Sequence, residues 1–347
     1  MGFLIEINHP GQVHLLKHVI EKLQREKTNH VVIAKNEKSI TELLTHYQIP
    51  FVNIGMKGKG TLGKLFKQLV FTYRAFVIAK RNKLNIGVGS SFTNDLLTII
   101  IRNFKSIHLS DDDEEMVPFI TKYSYPFATV ILAPDCIHFK KFERKVIHYA
   151  GYHELAYLHP NYFNPDPSIL SELGLTTMDK YFVLRFVALK GHHDGGHKGI
   201  SLDQKRLLIN YLDNLGKVFI TSENPIETEF EKYRIPITPE KIHSVLYYAT
   251  AFIGDSQTMT SEAAILGTPS FKCNTFAGKL SVPNELESKY NLCYSFQPEE
   301  FESMLMKIKS VLNSGQSKEI WKQKTELLWK EKIDVTSFIF KYIQSKK

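Results

Sequence analysis

Short β-branched or aromatic runs alternate with longer stretches of helical period along nearly all of the 347 residues, and this alternation most constrains the fold. Such alternation is the signature of βα units laid on a parallel sheet. In the first half, residues 3–7, 30–35, 51–55, 85–90, 106–110 and 128–134 read as strands. Between them 13–26, 39–46, 62–81 and 93–102 carry apolar residues at helical spacing. The segment 159–167 holds Pro160, Pro165 and Pro167 and breaks both periods, which puts a domain junction at or near it. Beyond it 181–187, 217–222, 251–254 and 270–274 read as strands and 202–215, 239–248, 258–266 and 299–312 as helices, followed by a helical tail over 318–347.

The expected fold is therefore α/β, with two Rossmann-like doubly wound domains facing a cleft at the carboxyl ends of their strands, plus C-terminal helices. The boundaries read as 1–158, 159–330 and a final helix over 331–347 packing back on the first domain. With 43% hydrophobic residues, a chain of this length buries enough apolar surface for two cores.

Cys136, Cys273 and Cys293 lie far apart without metal-ligand spacing, so neither a disulfide framework nor a zinc site is expected, and a reducing cytoplasm fits. The first apolar run, Phe3-Leu4-Ile5, is broken by Glu6 and is too short for a signal peptide. No stretch reaches the roughly 18–20 apolar residues of a membrane span, which leaves peripheral attachment as the only membrane association expected. No pattern sets an oligomeric state.

The net charge of +8 suits nucleic acid, an anionic membrane or a phosphate-bearing substrate. Lys57, Lys59, Lys64, Lys67, Arg74, Lys80, Arg81 and Lys83 occur with no acidic residue among them, interleaved with Leu62, Leu65, Phe66, Leu69, Val70, Phe71, Tyr73, Phe76, Val77 and Ile78. One reading is an amphipathic helix whose apolar face is core. The other is contact with anionic lipid headgroups. No nucleic-acid motif accompanies the charge, so nucleic acid is not expected as a partner.

The most informative segment is 251–269. A buried strand ends at Gly254, Ser256 or Thr258 caps the next helix, and Gly267-Thr268-Pro269 stops it. Amides at such a helix start form an anion site suited to a diphosphate. One turn on, Glu262 is placed to accept from ribose hydroxyls, unless it is merely a solvent-facing residue on an ordinary capped helix.

These residues carry a resemblance. Gly254-Asp255-Ser256-Gln257-Thr258-Met259, Ser261-Glu262-Ala263-Ala264 and Leu266-Gly267-Thr268-Pro269 resemble the sugar-nucleotide segment of GT-B-fold glycosyltransferases of the MurG type and of non-hydrolysing UDP-N-acetylglucosamine 2-epimerases. The chain is more closely similar to a prokaryotic GT-B-like family catalogued as a domain of unknown function. The shared patterns are Asn8-His9-Pro10 to His14, the run Gly151-Tyr152-His153-Glu154 to Leu158, Arg185-Phe186-Val187, and His192-His193-Asp194 to Gly199. The resemblance implies that Ser256, Gln257 and Thr258 hold phosphates, that Glu262 holds the ribose and that Arg185 meets the diphosphate. Asp255-Ser256-Gln257 departs from the glycine-rich form of many relatives, and an aspartate beside phosphate is unfavourable unless it turns away or binds the sugar.

Within that frame, His193, Asp194, His197 and Lys198 form a loop suited to gripping phosphate or sugar hydroxyls. His193 and His197 lack a third ligand, and Gly195 and Gly196 oppose the helix that would align them, so no metal is expected. Sugar transfer needs a base for the acceptor hydroxyl. His14 is the first choice and His9 the second, unless both only order the loop and cap the helix. Asp111 or Glu114, in the run 111–115, is the next candidate, unless that run is simply solvated.

The expected function is a glycosyltransferase moving a sugar from a nucleotide-diphosphate donor, UDP-N-acetylhexosamine by resemblance, to a hydroxyl of a glycan or lipid-linked acceptor in surface-polysaccharide or glycolipid assembly. It would need neither metal nor cofactor beyond its substrate. The alternative is a nucleotide-sugar 2-epimerase, which flanks one sugar with acid and base groups and takes no acceptor.

Overall fold

A computed structural model describes residues 2–56, 58, 60–186, 199–222, 225–315 and 317–346. The chain forms two compact units, Met1–Tyr162 with Ile333–Lys347, and Phe163–Lys332.

Among the described residues, the first unit holds a seven-stranded parallel sheet. Its strands are β1 (Phe3–Ile7), β2 (His30–Lys35), β3 (Val52–Gly55), β4 (Ile86–Gly89), β5 (Lys105–Leu109), β6 (Val130–Pro134) and β7 (Val146–Tyr149). Their spatial order is β3-β2-β1-β4-β5-β6-β7. The crossovers carry α1 (Pro10–Arg25), α2 (Lys38–His46), α3 (Gly60–Arg81), α4 (Phe92–Ile100) and α5 (Pro118–Tyr123), and α6 (Leu155–Leu158) follows β7. Every residue of β1 and β4 is buried, as strands covered on both faces require. Strand order reverses between β1 and β4, and the carboxyl ends at such a switch point form a crevice. Gly89 there has φ +154°, and a Cβ on it would lie 2.7 Å from the Glu6 carbonyl oxygen, so glycine alone fits.

Leu4, Ile33, Phe71, Ala75, Leu97 and Phe104 form the core between the sheet and the helices α3 and α4. The apolar residues of α3 divide into two stripes. Phe71, Ala75 and Ala79 face that core, whereas Leu65, Phe66, Leu69 and Tyr73 are 58–67% exposed. The reading of this helix's apolar residues as core holds for the first stripe and not for the second. No described helix is long and apolar enough to cross a membrane.

The second unit holds, among its described residues, a five-stranded parallel sheet: β8 (Tyr181–Arg185), β9 (Lys217–Thr221), β10 (Ala251–Gly254), β11 (Ser270–Cys273) and β12 (Cys293–Phe296). Their order is β12-β11-β10-β8-β9, with the switch point between β8 and β10. Its helices are α7 (Ser168–Glu172), α8 (Leu202–Asp213), α9 (Ile242–Tyr248), α10 (Gln257–Ile265), α11 (Ser281–Ser288), α12 (Phe301–Asn313) and α13 (Ser317–Glu331). The last helix, α14 (Val335–Gln344), belongs to the first unit, where Thr336 Oγ1 donates to the Ala156 carbonyl at 2.7 Å.

The first unit runs to Tyr162 rather than Leu158 because Tyr162 is tied into it. Its hydroxyl donates to Asp334 Oδ2 at 2.9 Å, and its ring stacks on His18 at 4.7 Å. Periodicity missed β7 and β12. Each is a four-residue edge strand of mixed polarity, Val-Ile-His-Tyr and Cys-Tyr-Ser-Phe, too short for a period of two to stand out.

Candidate functional site

In the second unit β10 ends at Gly254, where a Cβ would lie 2.3 Å from the Arg185 carbonyl oxygen. The glycine lets β8 and β10 finish side by side, and the Asp255 amide donates to that same oxygen at 3.1 Å. Ser256 is the extended cap of α10. Its Oγ accepts from the Met259 amide at 3.4 Å, and Thr260 Oγ1 donates back to the Ser256 carbonyl at 2.6 Å. The first-turn amides of α10, from Gln257 and Thr258 onward, thus stand at the switch point with the positive end of the helix dipole behind them.

Below this helix start lies a cation that sequence reasoning missed. Lys272 on β11 is fully buried, and its Nζ donates to Gln257 Oε1 at 2.7 Å. Gln257 Nε2 donates to Asn274 Oδ1 at 3.2 Å, and Asn274 Nδ2 donates to the Asp255 carbonyl at 2.7 Å. The relay fixes the Gln257 side chain toward the sheet and sets an ammonium beneath the helix start. Burial pushes Lys272 down to about 8, with Cys293 and Glu287 offsetting part of the loss. A second negative group arriving at the helix start would favour its charged form.

The Asp255 carboxyl is 5% exposed and points to Gly199, where a Cβ would lie 2.5 Å from its Oδ2. Arg185 ends β8 half-buried, with Nη1 donating to Thr221 Oγ1 at 3.3 Å. Glu262 is buried rather than solvent-facing, its Oε1 3.1 Å from His243 Nε2, and a ribose hydroxyl would have to share that carboxylate with the imidazole. His193, Asp194, His197 and Lys198 lie outside the described residues.

The carboxyl edge of the first sheet carries titratable groups instead. Asp111, just past β5, places Oδ2 3.2 Å from His153 Nδ1. Burial resists protonation of His153, yet the Asp111 charge and hydrogen bond outweigh it and raise the imidazole above its ordinary value. For Asp111 burial works upward, but the His153 charge and hydrogen bond hold the carboxyl below its usual range. With 44% of its side-chain surface open to solvent, Asp111 is a wet carboxylate, and the contact with His153 counts for more than burial. Asp112 is pushed up to about 7 by desolvation and by repulsion from Asp111; its side chain also keeps exposed surface, and the Asp111 charge is the cause its geometry supports. His9 is close enough for its charge to act on Asp111.

His9 caps α1, its Nδ1 accepting from the Gly11 amide at 3.2 Å. His14 is 7% exposed, its ring centroid 5.3 Å from that of Tyr157 and 5.9 Å from that of Tyr47, whose hydroxyl lies 3.5 Å from His14 Nδ1. Glu114 turns inward, and its Oε2 accepts from the Lys140 amide at 2.7 Å. A second carboxylate–imidazole pair sits deeper, where Asp95 Oδ2 lies 2.8 Å from His108 Nδ1 and takes the Ser124 hydroxyl at 2.5 Å. His153 stood in the sequence only as part of a shared pattern. Its place follows from β7, and without that strand the loop beyond it could not be assigned to the carboxyl edge.

Comparison with known proteins gives three findings. A family model described as a protein of unknown function, DUF354, matches residues 1–340. The uncharacterized protein MJ0665 of Methanocaldococcus jannaschii is 24% identical over 282 residues, covering 78% of this chain and 80% of that one. Among solved structures, an S. aureus MnaA–UDP complex is similar with TM-score 0.69 at 13% identity, covering 99% of this chain and 97% of that one. A Neisseria meningitidis UDP-GlcNAc 2-epimerase bound to UDP-GlcNAc gives 0.67 at 14% identity over all of both chains, and an Acinetobacter baumannii MurG gives 0.59 at 13% identity over 99% of each. At these identities the likeness establishes a GT-B-like fold, the fold that the two parallel sheets already describe. The chain belongs to the DUF354 family.

Proposed function

We propose that the chain is a metal-independent glycosyltransferase that takes a sugar from a UDP-N-acetylhexosamine and passes it to a hydroxyl of a glycan or lipid-linked acceptor. The observation that carries this reading is the α10 start at the β8–β10 switch point, underlain by Lys272 and flanked by Arg185. Amides, an aligned helix dipole and two cations suit the charge that grows on a leaving diphosphate. The solved structures of like fold include one with UDP and one with UDP-GlcNAc bound, which supports the uridine donor.

In this reading the acceptor oxygen bonds to the anomeric carbon as the bond from that carbon to the diphosphate oxygen breaks, with the electron pair leaving on the diphosphate. The Asp111–His153 pair takes the acceptor proton, Asp111 presenting the open carboxylate and His153, whose Nε2 is buried, holding it through Nδ1. His14, enclosed by aromatic rings, serves packing, and His9 acts on Asp111 as a neighbouring charge. The exposed stripe of Leu65, Phe66, Leu69 and Tyr73 beside Lys64 and Lys67 would rest on anionic lipid at the cytoplasmic face, where a lipid-linked acceptor is presented.

A 2-epimerase is the second reading, favoured by one observation: Asp112, raised to about 7, stands near His153, and two proton-transfer groups side by side suit removal and return of a proton on one sugar. Incubation with UDP-GlcNAc alone separates the two. The transferase leaves the sugar's configuration intact and releases UDP only with an acceptor. Appearance of the manno epimer without acceptor rejects transfer.

A further inference from the structure

The acidic run Asp111-Asp112-Asp113-Glu114-Glu115 is not uniformly solvated. Asp111 and Asp112 keep exposed surface, whereas Glu114 is 8% exposed. Glu114 Oε2 accepts from two successive amides, that of Lys140 at 2.7 Å and that of Lys141 at 3.3 Å, and the Glu114 carbonyl accepts from the Thr121 hydroxyl at 3.0 Å. Its Oε1 is enclosed with no donor among the described residues. Burying a carboxylate with one oxygen unmet is costly, and a side chain that only filled space would not require it.

The other end of the run is tied as well. Ser110, between β5 and Asp111, shares a 2.7 Å hydrogen bond with the Tyr125 hydroxyl. Tyr125 is fully buried, its ring centroid 5.8 Å from those of both Phe139 and Phe142, and Lys145 Nζ donates to its carbonyl at 3.2 Å. The segment 139–142, between β6 and β7, therefore holds both ends of the acidic loop. Phe139 and Phe142 wedge Tyr125, and the amides of Lys140 and Lys141 hold Glu114.

What lies between these ties is unfavourable by itself. Asp111 and Asp112 are adjacent carboxylates close enough to repel, and a free loop would let them part. Held in place, Asp111 keeps Oδ2 3.2 Å from His153 Nδ1. The main charges acting on Asp112 are those of Asp111, His153, Asp113 and His108, and those acting on His153 are Asp111, Glu154 and Asp112; Glu114 is not among them. Its influence on the pair runs through the loop.

We propose that Glu114 and Tyr125 are positioning residues, which clamp the acidic loop at its two ends and so hold Asp111, with Asp112 beside it, against His153. The use of this clamp in sugar transfer rests on the proposed function, in which the Asp111–His153 pair takes the acceptor proton. The clamp itself belongs to the first unit alone.

The test follows the titration of His153 and Asp112 in the full chain by NMR of isotope-labelled histidine and aspartate side chains, with signals assigned through His153→Gln and Asp112→Asn. Glu114→Ala frees one end of the loop. The His153 midpoint, raised in the wild type by Asp111, should fall by about one pH unit or more, and that of Asp112 should fall from about 7 toward the ordinary carboxylate range. Tyr125→Phe keeps the ring, deletes the hydroxyl and should move both midpoints the same way by a smaller amount. Glu114→Gln retains an oxygen for the two amides without the charge, and should leave both midpoints where the wild type has them. Midpoints unmoved in either folded variant, whatever its Tm, make that residue structural only and overturn the proposal. Equal shifts in Glu114→Gln and Glu114→Ala would show an effect of charge rather than of position, and overturn it too. Should Glu114→Ala fail to fold, Tyr125→Phe decides by the same titrations. If the midpoints shift as expected while the wild type releases no UDP from UDP-GlcNAc with any methyl glycoside as acceptor, transfer is rejected and the clamp stands.

Discussion

The two sheets share an architecture and differ in the chemistry of their carboxyl edges. Beside the β1–β4 switch point and along to β5, the first unit gathers His9, Asp111, Asp112, His153 and the buried Glu6. At the β8–β10 switch point the second presents helix amides, Ser256, Gln257 and the buried Lys272. The first edge is built from carboxylates and imidazoles, with Asp112 pushed up to about 7 and His153 raised above its ordinary value, the second from amides and an ammonium that attract negative charge. A doubly wound fold fixes where a ligand sits and leaves its chemistry to a few residues on the following loops.

Breaking the first edge should have the largest effect. His153→Ala breaks the proton-accepting Asp111–His153 pair and is expected to lower the rate of sugar transfer about 10²–10⁴-fold, with the Kd for UDP unchanged within twofold. An equal loss of UDP affinity would show that the two edges do not divide the work. The exposed stripe of α3 sharpens the contrast in another way. Phe66→Glu with Leu69→Glu should cut sedimentation with anionic vesicles roughly thirtyfold, whereas Met306→Glu, at an exposed apolar residue of the second unit, should leave it unchanged.

Lys272→Met should weaken UDP binding roughly tenfold, about 1.4 kcal/mol. In the wild type the Lys272 ammonium is charged below about 8 and neutral above, so UDP affinity should fall between about pH 7 and pH 9 while the variant stays flat in calorimetry. Stability has the opposite sign. The folded-state value of about 8 lies below the ordinary 10.5, so the unfolded chain holds more protons between the two and the wild type gains stability as pH rises through that window. Lys272→Met should lose that gain in denaturant titrations. The smallest effect belongs to the helix cap, where Ser256→Ala should cost about 0.5–2 kcal/mol and lower Tm by a few degrees.

The sequence made the architecture readable because buried parallel strands such as β4, β6 and β10 are short continuous apolar runs between helices of clear period. The α10 start was readable as well, since strand end, cap and Gly267 stop lie within one segment. What escaped depends on pairings across long stretches of chain. Asp111 suggested a base on its own, but its partner His153 follows an edge strand too short to register. Lys272 in Ser-Phe-Lys-Cys looks like a solvent-facing strand position, and only the helix overhead reveals it as a buried charge. The placement of the His14 ring beside those of Tyr47 and Tyr157 depends on the rotation of α1, which spacing from His9 does not settle.

Helix α14 lies against α1 in the first unit, although the whole second unit is translated between them. Domains generally fold as units while synthesis proceeds at about 5–20 residues per second, so the second unit can finish before the first. The first waits with part of its apolar surface uncovered until α14 emerges. A nascent chain halted before Val335 therefore leaves the face of α1 that meets α14 uncovered while the second unit is already complete.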